Sequence, residues 1–143
     1  MDAGIKYERY CSDRTRTVPF SSQMDFGTAQ LFNDTEIQRA YDLVLKAHDT
    51  AIHKARVGMK ASELDAIARN IITEGGLGER FVHSLGHGVG LDIHEHPFIN
   101  SRNNMILEEN MVFTIEPGIY IPGKFGIRIE DTVVLKDDGA HTL

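Results

Sequence analysis

From Asn33 onward, apolar side chains recur at spacings of three and four. Ile37, Ala40, Tyr41, Val44, Leu45, His48, Ala51, Ile52 and Ala55 fall on one stripe, the pattern of an amphipathic helix. Asn33 followed by Glu36 predicts a capping box at its start, each side chain satisfying a backbone N–H. A second helix repeats the pattern with Leu64, Ile67, Ala68, Ile71 and Ile72, and Gly75-Gly76 supplies its stop. Further on, the period shortens to two. Residues 111–121, MVFTIEPGIYI, and 126–136, GIRIEDTVVLK, are rich in β-branched and aromatic types and predict neighbouring antiparallel strands turned by Pro122-Gly123-Lys124. Alternation puts Ile127, Ile129, Val133 and Leu135 on one face, with Arg128, Glu130 and Thr132 on the other. In the same way Met111, Phe113 and Ile115 oppose Thr114 and Glu116, so Glu116 and Glu130 reach a common polar surface. At the start, DAGIKYERYCSDRTRTV predicts a hairpin. With the turn centred on Tyr7-Glu8, Asp2 and Asp13 become cross-strand partners.

No internal repeat or low-complexity linker divides the chain, and 143 residues suffice for one domain with a real core. The 21 acids against 15 lysines and arginines leave a net charge of −6, which disfavours nucleic acid and anionic membranes and favours cations. Cys11 alone forms no intrachain disulfide, and neither a membrane-spanning run nor an export signal is visible, so the expected setting is reducing and cytoplasmic.

The stretch FVHSLGHGVGLDIHEHP, residues 81–97, concentrates four histidines among glycines. His83 and His87 have the i, i+4 spacing of a zinc-protease helix, but Ser84 replaces the required Glu and Gly86, Gly88 and Gly90 break helices. A dinucleotide loop is disfavoured, because G-H-G-V-G lacks the third glycine at the required spacing and opens no recognisable βαβ unit. One histidine here, taken alone, is most simply a hydrogen-bonded turn residue. Context changes this, because Asp2, Asp13, Glu116 and Glu130 with His87 suit a two-metal centre in which carboxylates bridge the ions. Four converging carboxylates repel one another, so their pKa values are expected to rise and divalent cations to stabilise the fold.

Four ordered stretches, "DAGIKYERYCSDRTRT", "HSLGHGVGLDIHE", "FTIEPGIYI" and "GIRIEDTVV", resemble the "pita-bread" metallopeptidases, which include methionine aminopeptidases, Xaa-Pro aminopeptidases and prolidases. The resemblance implies an α+β, creatinase/aminopeptidase-like fold, a curved antiparallel sheet with two main helices, here expected to be truncated because the upstream half of the catalytic domain is not in evidence. It implies Asp2, Asp13, His87, Glu116 and Glu130 as metal ligands, with Asp13 and Glu130 bridging. It further implies two divalent ions, Mn²⁺ first, with Co²⁺, Zn²⁺ or Fe²⁺ as alternatives. His83 and Arg128 resemble features of the proline-specific branch, which implies metal-assisted hydrolysis of the bond preceding proline in a peptide. By the same resemblance Glu116 is general base and acid, His94 and His83 bind substrate or the developing oxyanion, and Arg128 holds Glu130 or a substrate carboxylate. Arg9 departs from the family, which commonly has Gly there. Methionine aminopeptidase chemistry and a noncatalytic module remain alternatives. A half-fold also implies a homodimer that covers exposed apolar surface. His96, His48 and His53 are left as surface or structural residues.

Overall fold

The computed structural model describes residues 1–20 and 24–143. Two helices form where the stripes predict them: α1 spans Thr35–Lys54 and α2 spans Ala61–Glu74. The cap of α1 differs from expectation by one residue. Asp34, not Asn33, is the N-cap, its carboxylate accepting the amides of Glu36 and Ile37 at 2.8 and 3.1 Å. Gly75 caps α2 and Gly76 follows at φ +81, a left-handed conformation that suits a residue without Cβ.

The N-terminal segment is one interrupted hairpin. Strand β1 (Asp2–Ala3) pairs with β4 (Arg14–Thr15), and β2 (Lys6–Tyr7) with β3 (Tyr10–Cys11). Its turn falls on Glu8-Arg9, with φ +46 and +77, rather than on Tyr7-Glu8. Both central residues take the positive φ of the tight turn whose twist matches a hairpin, so Arg9 holds a conformation that glycine would adopt at less cost. Asp2 consequently faces Thr15, and Asp13 is its diagonal neighbour on the same face rather than its direct partner.

The main sheet has five antiparallel strands in the order β11-β10-β7-β5-β6, formed by β5 (Gly86–Gly88), β6 (Glu95–Ile99), β7 (Val112–Ile115), β10 (Asp131–Lys136) and β11 (Gly139–Thr142). A separate ribbon joins β8 (Gly118–Ile121) to β9 (Phe125–Arg128), turning at Gly123 with φ +74. The two long strands expected from the alternation are therefore each broken in the middle, after Ile115 and after Arg128. Pro117 has no N–H to continue the ladder, and Glu116 and Glu130 sit at these breaks. Face assignment survives the break: Ile127, Ile129, Val133 and Leu135 are buried with Phe113 and Ile115 beneath α1 and α2, whose Tyr41, Val44, Leu64 and Ile72 close the same core.

Two of the three glycines in the 81–97 stretch, Gly86 and Gly88, are explained by close backbone approach. A Cβ on Gly86 would lie 1.9 Å from the Thr114 carbonyl oxygen of β7, and one on Gly88 2.3 Å from that of His96. Neither neighbour is a flexible side-chain end, so backbone would have to yield. Gly86→Ala is expected to destabilise the fold by ~1–3 kcal/mol, as overpacked cores do, and urea denaturation checks it. An unchanged midpoint would show that β5 is not held this close to β7.

Candidate metal centre

His87 is carried by the short inner strand β5, Glu116 leaves the central strand β7 at its end, Glu130 precedes β10, and Asp13 precedes β4. Their donor atoms converge. His87, Glu116 and Glu130 each offer a ligand atom within 4.8 Å of one another, and so do Asp2, Asp13 and Glu130. Glu130 belongs to both groups, which is the arrangement expected of a carboxylate shared by two ions. A third group at the same spacing joins Asp13, His87 and His94.

Neighbouring hydroxyls aim the carboxylates. Thr15 Oγ1 donates to Glu130 Oε2 at 2.6 Å, and Thr114 Oγ1 donates to Glu116 Oε1 at 3.0 Å. Thr114 Oγ1 also accepts the His87 amide at 3.0 Å. His87 Nδ1 lies 3.1 Å from the Gly88 carbonyl, so it carries the proton and turns the Nε2 lone pair toward Glu116, 3.2 Å away, and Asp13, 3.7 Å away. Carboxylate and imidazole donors, fixed from outside in this way, fit a pair of hard or borderline divalent ions.

The electrostatics agree with that fit. Burial, then the charges of Glu116 and Asp13, raises the Glu130 carboxyl from its ordinary 4.5 to about 7 against the opposing Thr15 hydrogen bond. Asp13 is raised by burial and by Asp2. Repulsion between the acids, expected from the sequence, is present, although desolvation contributes more. Burial alone would depress the His87 imidazole, but its hydrogen bond to Glu116 and the surrounding acids carry it above its ordinary value.

The other expected site residues line one cavity of about 440 Å³ with His83, Ser84, Gly86, His87, His94, Phe98, Glu116 and Arg128 on its walls. His83 Nδ1 lies 2.8 Å from the Ser84 carbonyl and its Nε2 3.1 Å from the Tyr120 hydroxyl. His94 is exposed and packs on His87, ring centroids 4.2 Å apart. Arg128 does not hold Glu130. Its guanidinium donates to Asp2 at 2.5 Å and to Thr15 Oγ1 at 3.1 Å, because the extended β9 backbone aims it at the N-terminal hairpin.

Several residues of the site escaped the sequence reading. Thr15, Thr114 and Tyr120 are ordinary strand types until their partners are known. Another is the cluster behind Glu130, where Arg16 donates to the Glu130 carbonyl at 2.6 Å and to Asp131 at 2.7 Å. His48 packs its Nε2 3.3 Å from Asp131, so it is a buried structural residue, whereas His53 and His96 are exposed. Burial alone would raise the Asp131 carboxyl, yet hydrogen bonds from His48 and Arg16 hold it below its ordinary value. An acid directly after Glu130 was the one visible signal.

A model of metallopeptidase family M24 matches residues 1–137. The chain belongs to this family. An uncharacterised peptidase of Staphylococcus saprophyticus is 46% identical over 143 residues, all of this chain and 38% of the relative. The M24 chain therefore spans well under half the length of such relatives. Among solved structures, the prolidase from Thermococcus sibiricus is similar at TM-score 0.89 and 46% identity, over 99% of this chain and 36% of that one. The X-Pro aminopeptidase from Thermotoga maritima is similar at 0.88 and 46%, over 99% and 37%. The M24 chain thus has the α+β architecture of part of the pita-bread fold, two helices on an antiparallel sheet.

Metal removal and pH test the centre together. A carboxyl raised to about 7 stabilises fully below its ordinary 4.5, and that contribution is lost as pH rises through 7. His87 and His48, raised above 6.5, act in the same direction, their contribution being lost as pH rises beyond that value, while the lowered Asp131 acts only at acid pH. Chelator-stripped protein is therefore expected to melt at lower temperature at pH 8 than at pH 5. Added Mn²⁺ or Zn²⁺ is expected to raise the melting temperature most at pH 8, where no proton competes. A melting temperature that rises with pH in the stripped protein and ignores the metal would contradict the assignment.

Proposed function

We propose that this M24 chain carries the metal-holding and proton-transferring machinery of a peptidase that cleaves the bond preceding proline. The carrying observation is the meeting of five donors, Asp2, Asp13, His87, Glu116 and Glu130, beside one cavity that also presents His83, His94 and Arg128. The Xaa-Pro preference draws support from the solved relatives, one named a prolidase and one an X-Pro aminopeptidase.

Those five residues would hold divalent ions, proposed to be Mn²⁺, and the ions would supply a nucleophilic water at neutral pH and a Lewis acid for the scissile carbonyl. Glu116 faces the cavity with a carboxylate whose Oε1 is held by Thr114, and this placement lets it take a proton from the attacking water. The same carboxyl then returns the proton to the leaving proline nitrogen, which departs as a neutral amine. His94, exposed at the rim, and the His83–Tyr120 pair are placed to hydrogen-bond the substrate or the developing oxyanion. Arg128, paired with Asp2, ties that exposed carboxylate to the floor of the site and lies 4.0 Å from Glu116.

A cytoplasmic setting and self-association that covers exposed side chains such as Ile5, Tyr7 and Tyr10 belong to the same proposal. Among the described residues no helix is long and apolar enough to cross a membrane. A second reading, a metal-binding module without turnover, is favoured by the 55% exposure of the Asp2 side chain, which leaves one ligand weakly held.

Expected outcomes separate these readings. Metal titration should find two ions per chain, and Mn²⁺-loaded protein should cleave Ala-Pro or Ala-Pro-Ala in preference to Met-Ala-Ser. Glu116→Gln should lower kcat by roughly 10²-fold or more with little change in melting temperature. Well-folded, metal-loaded protein without turnover on any of the three peptides would favour the second reading, and preferential Met-Ala-Ser cleavage would favour methionine aminopeptidase chemistry.

A further inference from the structure

Asp65 is an acid set on the apolar stripe of α2, fully buried beside Leu64 and Ala68. Its partner stands one helical turn on. Arg69 Nε and Nη2 donate to the two carboxylate oxygens at 2.7 and 2.8 Å, a bidentate fork. The guanidinium then reaches into the loop ahead of β5. Nη1 donates to the Phe81 carbonyl at 3.0 Å and Nη2 to the His83 carbonyl at 2.9 Å, while the guanidinium carbon lies 4.2 Å over the Phe81 ring. Asp65 Oδ1 also accepts the Leu85 amide at 3.2 Å. Residues 81–85 are thus tied to α2 at three backbone points that bracket His83, whose ring stands edge-on to Phe81 at 5.1 Å. One more bond passes the constraint onward, because the Leu85 carbonyl accepts the Glu116 amide at 2.8 Å.

Stability alone gives little reason to keep such a pair, since apolar side chains of similar volume replace buried ion pairs at little or no cost. What an apolar pair lacks is the ability to fix two carbonyls and an amide in one arrangement. We infer that Asp65 and Arg69 are positioning residues, setting the backbone of residues 81–85 so that the His83 ring and the Glu116 carboxylate arrive together at the cavity. The kinetic part of this inference rests on the peptidase reading; the geometric part does not.

The test compares the full chain with Arg69→Lys, Arg69→Ala and Asp65→Asn. Circular dichroism reports fold, and NMR of Zn²⁺-loaded protein follows amide exchange at Leu85 and Glu116 and the His83 ring resonances. Arg69→Lys keeps the charge but loses the fork, so both amides are expected to exchange about tenfold faster, with the His83 signals shifted and the helical signal retained. In turnover of Ala-Pro-Ala, kcat is expected to fall by about tenfold or more with KM within about threefold, and added methylguanidinium to restore part of it in Arg69→Ala. If the unaltered chain shows no turnover, the peptidase reading fails and the amide and ring signals still decide the positioning role. Folded Arg69→Lys with those signals unchanged would overturn the inference. Loss of fold in all three variants would overturn it too, because the pair would then be holding the whole domain.

Discussion

Glu130 is 2% exposed and shares its surroundings with other acids, and much of the structure answers that one electrostatic cost. A carboxylate out of water and next to Asp13 and Glu116 resists ionisation, which is why its pKa rises to about 7. The fold does not relieve the strain by moving the acids apart. Thr15 Oγ1 donates to one Glu130 oxygen and Arg16 grips the Glu130 carbonyl, with Asp131 and His48 behind it holding Arg16 in place. The acids are thus held together at a place where divalent cations would relieve their repulsion.

This arrangement depends on where the strands stop. Glu116 and Glu130 lie at breaks in two strands that pair on both sides of them, so their backbone follows the sheet only on one side. Pro117 enforces one break by removing a donor. On the opposite flank, Gly86 lets β5 approach β7 closely enough for Thr114 to hold the His87 amide and Glu116 together. Rigid neighbours therefore aim the ligands, and the M24 relatives of known structure share the same backbone frame.

The hairpin shows how a wrong detail can leave a right conclusion standing. A turn on Glu8-Arg9 instead of Tyr7-Glu8 shifts the pairing of Asp2 by two residues, from Asp13 to Thr15. Side chains alternate with period two, so a two-residue shift keeps Asp2 and Asp13 on one face, where a one-residue shift would have parted them. Arg128 was harder to place, because its partner Asp2 lies 126 residues away and either acid satisfies the same charge.

Local spacing determined both helices, the buried faces of the strands and the convergence of Glu116 with Glu130, since periodicity alone decides which side chains share a face. The ordered motifs placed the chain among the metallopeptidases. Only the tertiary structure decided that β8 and β9 leave the main sheet, that Thr15, Thr114 and Tyr120 orient the site, and that Asp65 and Arg69 brace residues 81–85. Except for Thr114 with Glu116, the hydrogen bonds among these join residues 12 or more positions apart in the chain. Hydroxyls and carboxylates of that kind carry no local pattern until folding supplies the partner.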